Sequence, residues 1–133
     1  ESPREWRVLD LASGDPDTDG RADLVLAMEK PDPRGIVQSH PFLVGYRGGL
    51  YRTVWGGSAV ADPLRQIAMG DVNSDSSPEL VVLEEARKCL GRARTVWRWH
   101  GWGFSLQWRS DYGYWVDVEV VEGGLVARRA RWP

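Results

Sequence analysis

The chain has 133 residues, 42% of them hydrophobic, and a formal net charge of −2. That length supports one domain with a core of its own. The balanced charge gives no basic footprint for nucleic acid, no run approaches the roughly 18 apolar residues of a membrane-spanning helix, and a lone cysteine, Cys89, excludes an intrachain disulfide.

Lysine is scarce (Lys30 and Lys88), arginine is abundant, and there are eight tryptophans. Rings that large must be buried or used. The chain starts at Glu1 with no initiator Met and no apolar leader, as expected if a leader was removed or the segment was cut from a longer protein.

Residues 6–13 read as a strand leading into the acidic block Asp15-Pro16-Asp17-Thr18-Asp19-Gly20-Arg21-Ala22-Asp23. Carboxylates occupy loop positions 1, 3, 5 and 9, and glycine occupies position 6, where a tight turn needs positive φ. Four carboxylates this close repel one another unless a cation neutralises them. A hard cation such as Ca²⁺ takes roughly six to eight oxygen ligands, and position 7 gives a backbone carbonyl, here that of Arg21. An EF-hand would need an acid at position 12, which is Leu26, and helices on both sides. Residues 23–29 instead read as a return strand. The cluster 30–35, Lys-Pro-Asp-Pro-Arg-Gly, reads as loop. A third strand is expected at about 41–47, a two-residue turn at Gly48-Gly49, and a fourth strand at 50–55.

The series then repeats. Residues 64–69 lead into Asp71-Val72-Asn73-Ser74-Asp75-Ser76-Ser77-Pro78-Glu79, residues 79–85 return, and 87–92 read as loop. Residues 95–100 and 103–108 form a further hairpin across Gly101-Trp102. Asp15 and Asp71 are 56 apart; Tyr46 and Trp99, Tyr51 and Phe104, and Trp55 and Trp108 are each 53 apart. The difference of three falls in the loop between second and third strands, where added length costs little. A partial third unit follows: strands at 114–122 and 125–132 around a bare Gly123-Gly124 turn.

The loop Asp15-x-Asp-x-Asp-Gly-x-x-Asp-Leu24, joining the first two strands of a four-strand unit, resembles the FG-GAP/VCBS type of repeat found in integrin-like β-propellers. The resemblance extends over most of residues 6–132 but is specific only at the two loops and the aromatic hairpins. It implies an all-β, antiparallel fold of four-stranded propeller-blade-like repeats: a single domain, 1–133, with repeat 1 at about 6–57, repeat 2 at about 63–110 and a partial repeat at about 113–132. About two and a half blades do not close a propeller, so self-association, membership of a longer protein, or a compact open arrangement is implied. The first and last bear on partners. The resemblance also implies Ca²⁺ as cofactor. Site 1 would use Asp15, Asp17, Asp19 and Asp23 by side chain and Arg21 by carbonyl. A weaker site 2 would use Asp71, Asn73, Asp75 and Glu79, with the Ser77 carbonyl. Site 2 has lost a carboxylate to Asn73 and the glycine to Ser76, and the alternative for it is a turn held by its own Asp and Asn side chains.

The implied function is a non-enzymatic, calcium-stabilised binding or scaffold module working outside the cytoplasm through protein interaction or assembly. The alternative is a carbohydrate-binding accessory domain using the Trp-rich hairpin. Trp99, Trp102 and Trp108 form a ligand platform if exposed and core if buried, with Trp102 at a turn the ring most open to use. Strand alternation puts Trp97 and Trp99 on one face and Arg98 and His100 on the other. His40, His100, Cys89, Glu84, Glu85 and Glu119 show no catalytic or zinc-ligand spacing, and Arg128, Arg129 and Arg131 read as a solvated basic end.

Overall fold

The computed structural model describes residues 6–16, 18–31, 33–56, 63–85, 91–101, 103–121 and 123–129. They form ten antiparallel strands and no helix: β1 (Arg7–Gly14), β2 (Asp23–Pro31), β3 (Val37–Arg47), β4 (Leu50–Trp55), β5 (Leu64–Gly70), β6 (Glu79–Glu85), β7 (Arg92–Trp99), β8 (Phe104–Arg109), β9 (Trp115–Val121) and β10 (Gly124–Arg129). Each strand pairs with its sequence neighbour. The result is sheet 1 (β1-β2-β3-β4), sheet 2 (β5-β6-β7-β8) and a two-stranded sheet 3 (β9-β10), and the set does not close into a barrel. Among the described residues no helix is long and apolar enough to cross a membrane.

The duplication holds at the level of register. Val8 pairs with Met28 and Leu64 with Glu84, and a bulge follows in both sheets. Leu24 pairs with Val44 and Leu80 with Trp97. Leu43 faces Trp55 and Val96 faces Trp108, again with a bulge beside each pair. The offsets of 56 and 53 therefore describe one backbone drawn twice.

The sheets stack in order. The forward face of sheet 1 carries Val25, Ala27, Leu43 and Trp55. It packs on the rear face of sheet 2, where Leu64, Ile67, Leu80, Val82, Trp97, Trp99 and Phe104 meet it. The forward face of sheet 2, with Val81, Leu83 and Val96, packs on Val118, Val120, Leu125 and Ala127 of sheet 3. Strand alternation makes this possible, since β6 is buried on both sides and reads as the continuous run Leu80-Val81-Val82-Leu83.

Hydrogen bonds tie successive sheets at equivalent points. The Ile67 amide donates to Asp10 Oδ2 (2.9 Å), and the Val118 amide donates to Gln66 Oε1 (3.0 Å) while Gln66 Nε2 donates to the Val118 carbonyl (3.1 Å). Asp10 and Gln66 are 56 residues apart.

Several expected boundaries shift. Lys30 and Pro31 extend β2 rather than belonging to the loop, because their partners Gln38 and Val37 lengthen β3 well before residue 41. Arg92 opens β7 by pairing with Glu85. Gly124 pairs with Val121 and so starts β10, leaving Gly123, at φ 73°, as the glycine of that turn. The Gly48-Gly49 turn is as expected, with φ of 61° and 83°. The second hairpin turn is longer, spanning 100–103, with the His100 amide donating to the Gly103 carbonyl (2.9 Å).

The inner strands approach so closely that two positions admit no side chain. A Cβ on Gly14 would lie 2.6 Å from the Met69 side chain, and one on Gly70 would lie 2.5 Å from a Val120 methyl. Methionine can swing aside, whereas β-branched valine cannot. We therefore expect Gly70→Ala to destabilise by about 1–3 kcal/mol and Gly14→Ala by clearly less. Urea unfolding of the two variants checks the order, and equal costs would contradict this account of the packing.

Candidate metal centre

Both acidic loops join the first two strands of a sheet and, over the described residues, share hydrogen bonds and positive-φ positions. In loop 1 the Asp19 amide donates to Asp15 Oδ1 (3.1 Å), the Gly20 amide to Asp15 Oδ2 (2.9 Å) and the Arg21 amide to Asp19 Oδ1 (2.8 Å). In loop 2 the Asp75 amide donates to Asp71 Oδ1 (3.2 Å), the Ser76 amide to Asp71 Oδ2 (2.8 Å) and the Ser77 amide to Asp75 Oδ1 (2.9 Å). Positive φ recurs at matched sites: Thr18 (54°) with Ser74 (60°), and Gly20 (85°) with Ser76 (69°). Serine at position 6 thus takes the left-handed conformation that glycine takes in loop 1, at a steric cost that glycine escapes.

Loop 2 gathers a group that can hold a metal cation. Asp71, Asp75 and Glu79 each bring a carboxylate oxygen within 4.8 Å of the others, the one such group among the described residues. Burial would raise the Asp71 pKa, but the amides of Ser76, Asp75, Asn73 and Ser74 together hold it below its ordinary 3.8. Glu79 behaves oppositely. It opens β6 with only 3% of its surface exposed, and neither carboxylate oxygen accepts a well-formed hydrogen bond, although the Val72 amide lies near. Burial first, then the charges of Asp75 and Asp71, push it up to about 7, against a weaker pull from Arg98 and the Val72 amide. A buried carboxyl facing two others needs a proton or a cation.

In loop 1, Asp15, Asp19 and Arg21 lie on the turn, and Asp23 is buried at the start of β2, as Glu79 is in β6. Asp17 lies outside the described residues. The Asn73 side chain accepts from the Asp75 amide (3.2 Å), so it helps hold the turn. This is the hydrogen-bonded Asx geometry expected as the alternative for loop 2, and it coexists with the carboxylate cluster.

Trp99 and Trp108 do not converge on one platform. Trp99 packs into the core between sheets 1 and 2, edge-on to Trp55 (5.9 Å) and Phe104 (5.2 Å). Trp108, paired with Val96 beyond a bulge, lies on the opposite face, 43% exposed, with the Arg94 guanidinium 5.3 Å from its ring. Trp102 lies outside the described residues, as do Cys89 and Arg131. A concavity of about 480 Å³ on the forward face of sheet 2 is lined by Asn73, Glu79, Arg94, Arg98, Gln107 and Trp108 among others. Two other carboxylates are engaged elsewhere: Glu84, fully buried, pairs with Arg109 (3.4 Å), and Glu85 with Arg65 (3.7 Å). Arg128 pairs with Asp117 across sheet 3 (2.8 Å).

The sequence pattern did not show that Glu79 would be buried without a well-formed hydrogen bond. The signal was its place at the first residue of a strand buried on both faces. No protein-family model, curated protein or solved structure matches this chain.

The raised Glu79 pKa fixes a sign. Between pH 4.5 and about 7 the folded carboxyl holds a proton that the unfolded one has lost. In metal-free protein this group's effect on stability therefore worsens as pH rises through that window and is worst above it, by up to about 3 kcal/mol. We expect melting in chelator to show a contribution of this sign, and Glu79→Gln to remove it and melt higher than the parent at pH above 7. A Glu79→Gln protein with the parent's pH profile would contradict the assignment.

Proposed function

We propose that the chain is a calcium-braced, non-enzymatic binding or scaffold module of FG-GAP/VCBS type, working outside the cytoplasm through protein interaction or assembly. The observation that carries this reading is Glu79: a buried carboxylate without a well-formed hydrogen bond, beside Asp71 and Asp75, at the exit of a loop that repeats the hydrogen bonds of the loop after Asp15. The donors in reach are oxygens alone. That suits Ca²⁺ rather than a metal preferring nitrogen or sulfur. Asp71, Asp75 and Glu79 would hold the ion by carboxylate, Asn73 by its amide oxygen and Ser77 by its carbonyl. In loop 1, Asp15, Asp17, Asp19 and Asp23 would do so with the Arg21 carbonyl. A bound divalent cation would supply positive charge where these carboxylates gather.

The role of the ion is then mechanical. It closes the turn between the first two strands of a sheet, and its binding free energy adds to folding because the unfolded chain holds no such site. The extracytoplasmic location follows from the calcium supply a site of this kind needs. The non-enzymatic reading is supported by the dispersal of the other acids, with Glu84 committed to Arg109 and Glu119 on an exposed strand face.

The test is thermal unfolding with chelator, with millimolar Ca²⁺ and with Mg²⁺. Calcium should raise the midpoint as ligand linkage requires, by about 2.7 kcal/mol of stability at a hundredfold excess over Kd. Mg²⁺ should do less, and Asp71→Asn with Glu79→Gln should lose the site 2 share. A midpoint indifferent to both chelator and calcium would overturn the proposal.

A further inference from the structure

The last acid of loop 2 has a charged neighbour that the last acid of loop 1 lacks. Leu80 pairs with Trp97 in sheet 2, so the next residues outward, Glu79 and Arg98, stand side by side at that end of the ladder. Leu24 pairs with Val44 in sheet 1, so Asp23 stands in the same way beside Gly45. The offsets that align the repeats carry Asp23 onto Glu79 and Gly45 onto Arg98. Residues opposite each other on one face of an antiparallel pair interact directly. Glu79 and Arg98 share the forward face, where both line the concavity with Asn73. The pairing lies within one sheet, so the juxtaposition is a property of the β6–β7 ladder alone.

The two side chains nevertheless stay apart. Neither Glu79 carboxylate oxygen takes a hydrogen bond from Arg98. Arg98 is exposed, and its guanidinium makes no hydrogen bond, ion pair or ring contact among the described residues. Arg94, by contrast, is held against two indoles, 5.3 Å from the Trp108 ring centre and 3.8 Å from that of Trp115. The Arg98 charge still reaches Glu79 and favours its ionised form, against the opposing charges of Asp75 and Asp71. Loop 1 has an arginine of its own, but Arg21 lies on the turn and donates to the Tyr46 carbonyl (3.5 Å) instead of standing across the ladder from Asp23.

We propose that Arg98 sets the affinity of loop 2 for its divalent cation, as a tethered positive charge that competes for the same carboxylates. The inference rests on the calcium reading above and goes beyond it, from the residues that hold the ion to the residue that opposes it. In metal-free protein the guanidinium is a counter-charge beside Glu79 and favours the folded state. With a divalent cation among Asp71, Asp75 and Glu79, the same guanidinium faces two positive charges and opposes binding. A unit charge several ångströms from a divalent ion in near-aqueous surroundings changes affinity by about three- to tenfold. Arginine stays charged at any working pH, so the opposition is permanent. Loop 2 therefore exchanges its ion at a higher calcium concentration than its donors alone dictate, and loop 1, with Gly45 in that place, has no counterpart of this charge. The effect has two signs: Arg98 helps the metal-free protein and hinders the loaded one. A residue that merely supports the strand would help both alike.

The experiment is calorimetric titration of the full chain with calcium chloride near neutral pH. The heat of loop 2 is the part lost when Asp71→Asn and Glu79→Gln are combined. Arg98→Gln should tighten binding at loop 2 about three- to tenfold and leave loop 1 as it was. Arg98→Lys should stay close to the parent, since it keeps the charge. In about 1 M KCl, where the screening length is roughly 3 Å, the gain of Arg98→Gln should shrink. Thermal unfolding gives a second readout: Arg98→Gln should melt no higher than the parent in chelator, yet gain more from calcium. An Arg98→Gln protein that binds at loop 2 no tighter than the parent overturns the proposal and leaves the calcium reading standing. A gain that Arg98→Lys shares in full also overturns it, since shape and not charge would then be the cause. No calcium binding by the parent or by either Arg98 variant removes both readings.

Discussion

The structure depends on each sheet having two unlike faces that fit one another. The forward face is mainly small and aliphatic, with Val25, Ala27 and Leu43 in sheet 1 and Val81, Leu83 and Val96 in sheet 2, and carries one large ring on its fourth strand, Trp55 or Trp108. The rear face of sheet 2 is large, with Trp97, Trp99 and Phe104. A small face against a large one fills the space between sheets at close-packed density. This also explains why β6 is buried on both sides while β4 is exposed along most of its length. The acidic loops sit at one end of this arrangement. Their last carboxylates, Asp23 and Glu79, start the second strand of each sheet on its forward face, so the stacking that builds the core also buries them.

That burial gives loop 2 its electrostatic character. Asp71 faces solvent-exposed loop amides and is held ionised by them, whereas Glu79, four residues beyond Asp75, has been carried into the sheet. Two carboxylates of one short segment thus have opposite pKa shifts because one belongs to the turn and the other to the core. The loop also holds two serines, Ser74 and Ser76, in left-handed backbone. Such conformations persist where the surroundings over-determine them, and here five backbone-to-side-chain hydrogen bonds within the loop do so.

Much of the fold was legible in the sequence because the repeat was. Pairs such as Tyr46 and Trp99 at constant offset predicted a duplicated four-strand unit, and the register bears it out down to the bulges. What was hidden concerned faces and ends. A Pro-flanked cluster reads as loop, yet Pro31 has a strand partner in Val37, since a strand end tolerates a missing amide. The bulge beside Val96 sends Trp108 to the face opposite Trp99, which no count of alternation could show without knowing that the bulge was there. That Asp71, Asp75 and Glu79 would come together was legible in the spacing of the acids. The isolation of Glu79 was not, because it arises from a neighbouring sheet.

The glycines of the inner strands have a geometric consequence. Between sheets, β1 and β5 make the closest approach, with Gly14 against Met69, and β5 meets β9 with Gly70 against Val120. Farther out, the gap between the first two sheets is held open by whole indole and phenyl rings, Trp55 against Trp99 and Phe104. A layer thin at one edge and thick at the other is a wedge. Wedges laid in series splay like a fan about their thin edge, so the hydrogen-bonding direction of each sheet turns relative to the last. The curvature of any larger object built from these units would thus be set by a glycine at one rim and a tryptophan at the other.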